Sequence, residues 1–382
     1  MKRAMAALLA AVVLLGGWLA HCWQVRNWGA WQSFARVFVQ ADGRVIDRTA
    51  TDRSTSEAQA YALFFALVAN DRPRFENILR WTTNNLAAGD LKATLPAWLW
   101  GARDEGWGIK DSNPASDADL WLAYALIEAA RLWQHPEYEQ IGRAVLAQVK
   151  AKEVAEIPGL GLMLLPAPQG FKAEDGSWRL NPSYLPESQF RWLAVIDPKG
   201  PWRSIWQNHL TAMRTLAVNG IVPDWYEVLP DGRIVADRQT QGVASYDAIR
   251  VPLWAGMTQS RDAGSRDNDL EALLKPLAQR LAALDAPPEK LDFESGKASG
   301  GAPIGFSAAV LPFLANMDED SAAKQRQRLK NSRVDGNLGS PPHYYDQALG
   351  MFGEGWDSKR FQFDQDGRLI PRWEKSCCDW HF

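Results

Sequence analysis

The sequence predicts an all-α domain assembled from helical hairpins, and three observations carry that expectation. Apolar residues recur with helical period along most of the chain, short proline-containing breaks join the periodic stretches two by two, and no Pro- or Ser-rich linker divides them. The first pair spans residues 56–70 and 74–86, broken at Asp71-Arg72-Pro73. The second spans 117–134 and 137–152, broken at His135-Pro136. Looser helical periodicity follows at 202–218, 247–258, 269–284, 304–316 and 344–353, so about ten to twelve helices fit. Antiparallel pairs without a shared short repeat leave two architectures open, a helical solenoid or a closed ring of hairpins. Two β-hairpins, Trp225–Arg238 around Pro230-Asp231-Gly232 and Phe361–Leu369 around Asp366-Gly367, are minor decorations.

Composition sets the outer limits. With 42 Lys+Arg against 45 Asp+Glu, the formal charge of -3 excludes a basic nucleic-acid binder. Apolar residues at 46% and charged residues at 23% match a chain that buries a large core. The 19 tryptophans are an excess. Besides filling a core, flat rings suit the flat C–H faces of sugars.

Lys2 and Arg3 precede an apolar run, Ala4–Ala20, with the charged start and short hydrophobic stretch of an export signal. The expected division is a signal over residues 1–22 and one domain over 23–382, released on the far side of the inner membrane with no lasting membrane insertion. His21 breaks a lipoprotein-type box before Cys22. Export would favour a disulfide from Cys22, if it survives processing, to Cys377 or Cys378, with one thiol left over.

Three acidic segments precede or open predicted helices. Glu57 follows Ser54 at capping-box spacing, so it either caps a helix or is free for chemistry. Ser116 and Asp119 repeat that spacing, which leaves Asp117 unneeded by the cap. Asp247 either caps the next helix or pairs with Arg250 one turn on. A ring of hairpins would gather these helix starts at one mouth, and glycoside hydrolysis needs such paired carboxyls. Trp98, Trp100, Trp121 and Tyr246 are the aromatic candidates to hold sugar rings. The five His are scattered, without HExxH or CxxC spacing, and no nucleophile elbow or phosphate-binding glycine loop occurs, so neither metal nor cofactor is expected.

The run Ala115–Trp133 (ASDADLWLAYALIEAARLW) resembles the signature of glycoside hydrolase family 8, departing only at Leu122, where Ile or Met is usual. Thr55–Tyr61, Leu95–Trp100, Asn181–Pro186 (NPSYLP) and Ser245–Arg250 (SYDAIR) are also similar to segments of that family, in the branch encoded with bacterial cellulose synthase. The resemblance implies an (α/α)6 barrel and an inverting endo-β-1,4-glucanase acting on cellulose, in functional association with the synthase complex. It assigns Glu57 as proton donor, Asp247 as water-activating base, and Asp117 to holding the central sugar and supporting the base. Tyr184, Tyr246 and Arg250 fall near that sugar. The same fold and acids also serve xylan, chitosan and mixed-linkage glucan, and a non-catalytic glucan-binding subunit is the alternative of a different class.

Overall fold

The computed structural model describes residues 27–258 and 269–375. The export segment and Cys22, Cys377 and Cys378 lie outside these residues. Twelve α-helices occur among the described residues: α1 (Gly29–Phe38), α2 (Ser56–Val68), α3 (Arg72–Leu86), α4 (Ser116–Trp133), α5 (Pro136–Lys152), α6 (Glu187–Ile196), α7 (Trp202–Leu216), α8 (Arg250–Gly256), α9 (Asp269–Ala282), α10 (Ile304–Met317), α11 (Glu319–Asn331) and α12 (Tyr344–Asp357). The hairpin breaks act as expected: Asp71 caps α3 through the N–H of Arg74, and Pro136 opens α5.

Burial alternates along the chain. All of α2 except Glu57 is buried, as are the first fifteen residues of α4 and every residue of α8. By contrast, α3 buries one stripe through Phe75, Ile78, Leu79, Trp81, Thr82 and Leu86, and α5 another through Tyr138, Gly142, Val145, Leu146 and Val149. A helix that is apolar all round must be enclosed, and an amphipathic one covers it. Phe352 of α12 shows how the enclosed helices meet, because its ring lies 4.7–5.6 Å from those of Tyr61, Phe64, Phe65, Trp121 and Trp254, which belong to α2, α4 and α8. Close approach is specified too: a Cβ on Gly353 would overlap the carbonyl of Ala308, so only glycine lets α12 settle on α10.

Helices α1, α6 and α11 had no counterpart in the periodicity. In α11, Glu-Asp-Ser-Ala-Ala-Lys-Gln-Arg-Gln-Arg-Leu-Lys-Asn buries only Ser321, Ala322, Gln325 and Leu329, too polar a stripe to read. Helix α8 also starts at Arg250, three residues later than expected, because the preceding residues are held in a turn by Asp224.

All sheets are small and antiparallel. Strands β1 (Ser54–Thr55), β2 (Leu99–Arg103) and β3 (Gly106–Asp111) form one, with Thr55 opposite Leu99 and Ser54 opposite Trp100. Both expected hairpins form: Tyr226–Val228 pairs with Ile234–Ala236, and Phe361–Phe363 with Leu369–Pro371. Among the described residues, no helix is long and apolar enough to cross a membrane.

Candidate active site

The N-terminal ends of the enclosed helices deliver the acidic side chains. Ser56 donates its backbone N–H to Trp98 O at 3.0 Å, fixing the start of α2 against the chain entering β2, and Thr55 caps the helix by accepting from Ala58 N at 3.2 Å. Thr55 rather than a Ser54–Glu57 box therefore satisfies this terminus, and the Glu57 carboxyl is left to the groove. Its Oε1 accepts the indole N–H of Trp98 at 3.1 Å. Asp117, the second residue of α4, is 2% exposed and accepts Ala118 N–H at 2.8 Å. Asp119 makes no cap at all; its carboxyl is wholly buried beside that of Glu153.

Arg250, the first residue of α8, joins the pieces. Its Nη1 donates to Tyr61 Oη at 3.1 Å and to Asp117 Oδ2 at 3.2 Å. Its Nη2 donates to Asp247 Oδ1 and to Ser183 Oγ, both at 2.7 Å. One buried guanidinium thus bridges two carboxylates, a use to which its planar fork is suited. The other oxygen of Asp247 accepts Trp225 Nε1–H at 3.0 Å. The NPSYLP segment turns on Asn181, whose Oδ1 accepts from Ser183 N and Oγ at 2.9 and 2.7 Å, and Trp254 Nε1 locks Ser183 O at 2.8 Å.

Burial raises the pKa of Glu57, against the opposing pull of Arg250 and the hydrogen bonds from Thr55 and Trp98. Asp117 is pushed up to about 7 by burial first and by the nearby Glu57 second, with Arg250 opposing. A groove carboxyl whose proton affinity is raised by burial, as at Glu57, suits general-acid chemistry.

The groove has a volume of about 720 Å³, and its lining includes Glu57, Tyr61, Trp98, Tyr184, Trp225, Tyr246, Asp247, Arg250 and Tyr345. The structure therefore brings Glu57, Asp247, Trp98, Tyr184, Tyr246 and Arg250 together. Asp117 lies beneath rather than in the lining, reached through Arg250. Trp121 is a correction: at 1% exposure it packs against Tyr61, Phe64, Tyr124, Trp254 and Phe352, and so is core rather than a sugar platform. Its place in α4, enclosed on every side, is the reason. Trp100 is also absent from the lining and meets Trp81 edge-on at 5.7 Å. Sequence reasoning missed Trp225, Ser183, Tyr345 and Asp224 as site residues; Ser183 sat inside the NPSYLP segment and Trp225 opened an expected hairpin, while Tyr345 and Asp224 carried no such signal. Tyr345 donates its hydroxyl to Tyr246 O at 2.6 Å, tying the residue before Asp247 to α12. Among the described residues, no group of three or more His, Cys, Asp or Glu side chains is placed to hold a metal ion.

Two carboxyls held in one aromatic groove, Glu57 with its pKa raised by burial and Asp247 fixed by Arg250 and Trp225, are the arrangement that glycoside hydrolysis uses. The chain belongs to the glycosyl hydrolases family 8, whose model matches residues 1–359. It is 43% identical over 357 residues to an endoglucanase of Escherichia coli (strain K12), covering 93% of this chain and 94% of that one. It is 45% identical over 374 residues to an endoglucanase of Xanthomonas axonopodis pv. citri (strain 306), covering 96% and 95%. Among solved structures, the endo-1,4-D-glucanase from Vibrio fischeri ES114 is similar at a TM-score of 0.82 and 37% identity, over 91% of this chain and 99% of that one.

Proposed function

We propose that this chain is an endo-β-1,4-glucanase that cleaves cellulose with inversion at the anomeric carbon. The observation that carries the reading is the placement of Glu57 and Asp247 in one groove, with Arg250 fixing Asp247 from below. Relatives called endoglucanases at 43% and 45% identity over nearly the whole chain supply the substrate class. The helices would close as an (α/α)6 barrel, with α2, α4, α6, α8, α10 and α12 inside.

In this mechanism Glu57 protonates the leaving glycosidic oxygen. Its raised pKa favours the protonated form, and its carboxyl is oriented by the Trp98 N–H on Oε1 and by Ser56 Oγ, 3.5 Å from Oε2. Asp247, its carboxylate held by Arg250 and Trp225, accepts a proton from a water that attacks from the opposite face of the sugar. No covalent sugar–enzyme bond forms. Asp117 supports the base through Arg250, and its burial makes a direct grip on the sugar the lesser part of its role. Trp98, Tyr184 and Tyr246 line the groove as sugar contacts.

The leader and the family branch favour action in the periplasm, trimming glucan made by a cellulose synthase complex. The test is proton NMR of the first products from a soluble cello-oligosaccharide, with viscosity loss of soluble cellulose measured alongside. Inversion gives the α-anomer first. Initial β-anomer, or no loss of viscosity, overturns the reading in favour of a retaining mechanism or a glucan-binding subunit.

A further inference from the structure

We infer that Asp224 is a positioning residue for the base Asp247, fixing the turn that presents it while the adjacent Trp225 fixes one of its oxygens. The inference rests on the reading of Asp247 as the base.

Asp224 Oδ1 accepts the backbone N–H of Ser245 and that of Ala248, both at 2.7 Å. These two amides bracket Asp247 in sequence, so one carboxylate oxygen pins the backbone on either side of the base. The turn is closed by Ile249 N to Ser245 O and Arg250 N to Asp247 O, both at 3.0 Å, and anchored outward by Ser245 Oγ to Glu289 O at 2.7 Å. Trp225 then donates its indole N–H to Asp247 Oδ2. Its ring is held in turn: Phe171 stacks on it at 5.8 Å and 11°, and the Arg179 guanidinium lies over it at 4.0 Å. Arg179 is itself tied to the buried Asp237 at 2.9 and 3.2 Å. A chain of contacts from Asp237 through Arg179 and Trp225 thus reaches the base.

Asp224 is 7% exposed and absent from the groove lining. Burying a carboxyl is costly unless donors meet it, and here the donors are the two amides of the turn. Asp247, Arg250 and Tyr345 are the charged and titratable groups facing it. Releasing the turn would move the Asp247 carboxylate relative to the attacking water, and an error of about 1 Å in such geometry costs on the order of 100-fold in rate.

The experiment compares the parent, Asp224→Ala, Asp224→Asn and Asp247→Asn on a soluble cello-oligosaccharide, with thermal melts. Asp224→Ala should lower kcat about 100-fold with KM unchanged. Asp224→Asn keeps a carbonyl oxygen for both amides and should recover most of that loss. Parent-level kcat in Asp224→Ala, with Asp247→Asn inactive, overturns this inference alone. Equal losses in both Asp224 variants, with KM rising and the melting point falling in step, also overturn it, since that is a fold defect. An active Asp247→Asn instead overturns the underlying assignment of the base.

Discussion

Trp98 donates its indole N–H to Oε1 of Glu57 at 3.1 Å, so a ring that walls the groove also holds the acid. The two duties separate in Trp98→Phe, which keeps an aromatic face and removes the N–H. A hydrogen bond to the ionised carboxyl favours ionisation, so its loss should raise the proton affinity of Glu57 further. The alkaline limb of kcat/KM should then move to higher pH while oligosaccharide binding stays close to the parent. An unshifted limb would mean that this N–H does not bear on the acid.

The correction at Trp121 gives a contrast within the same class of substitution. Trp121→Ala removes a wholly buried ring that meets α2, α8 and α12, and should cost about 3–5 kcal/mol of stability. Tyr246→Ala removes a ring that is 46% exposed at the groove and should leave stability nearly untouched while weakening cello-oligosaccharide binding. Chemical denaturation and calorimetric titration of the two variants would separate them. A tightly folded Trp121→Ala that binds poorly would restore the platform reading.

The acids were legible because helix starts are marked locally: hydroxyl clusters and acidic first turns point to Glu57, Asp117 and Asp247 without knowledge of the fold. Whether an acid caps its own helix or serves a groove was not legible, since Ser54–Glu57 and Ser116–Asp119 have the same spacing. In the fold Thr55 caps one helix, and Asp119 turns inward to Glu153 at the other. The outer face of a helix pair reads from its apolar stripe, as in α3 and α5, but the polar α11 carries too little stripe to be seen. Trp98 and Trp121 look alike in sequence; only the enclosure of α4 separates groove from core. Contacts made across long stretches of chain, such as Trp225 to Asp247, leave no local mark.

Arg250 offers a test of the bridge between Asp117 and Asp247. Lysine keeps the charge but brings one ammonium where the guanidinium reaches Asp117, Tyr61, Ser183 and Asp247 with two nitrogens. Arg250→Lys should therefore lower kcat, by roughly 100-fold if its fixed donors act like those of other preorganised sites, although net charge is unchanged. Steady-state kinetics of Arg250→Lys beside the parent would decide. Near-parent kcat would show that charge alone is required.

The buried pair Asp119 and Glu153 sets a dependence of stability on pH. Burial, ahead of the other influences, pushes Glu153 up to about 8, with the adjacent Asp119 carboxyl opposing and the charge of Asp117 adding to the rise. Asp119 is raised well above its ordinary value by burial and then by Glu153. Asp119, Asp117 and Lys152 are thus the groups facing Glu153. A carboxyl whose folded pKa exceeds its unfolded value binds its proton more tightly when folded, so the stability it contributes is present below the unfolded pKa and is lost as pH rises through the folded one. For Glu153 that window runs from its ordinary 4.5 to about 8. Glu153→Gln keeps the shape and a donor toward Asp119 but cannot ionise. The melting temperature of the parent should fall between the two ends of this window, and that of Glu153→Gln should fall less, so the variant gains on the parent with rising pH. Each kcal/mol of relief corresponds to roughly 1–2 °C in a domain of this size. Melting curves that stay parallel from acid to alkaline pH would show that Glu153 does not titrate in this range.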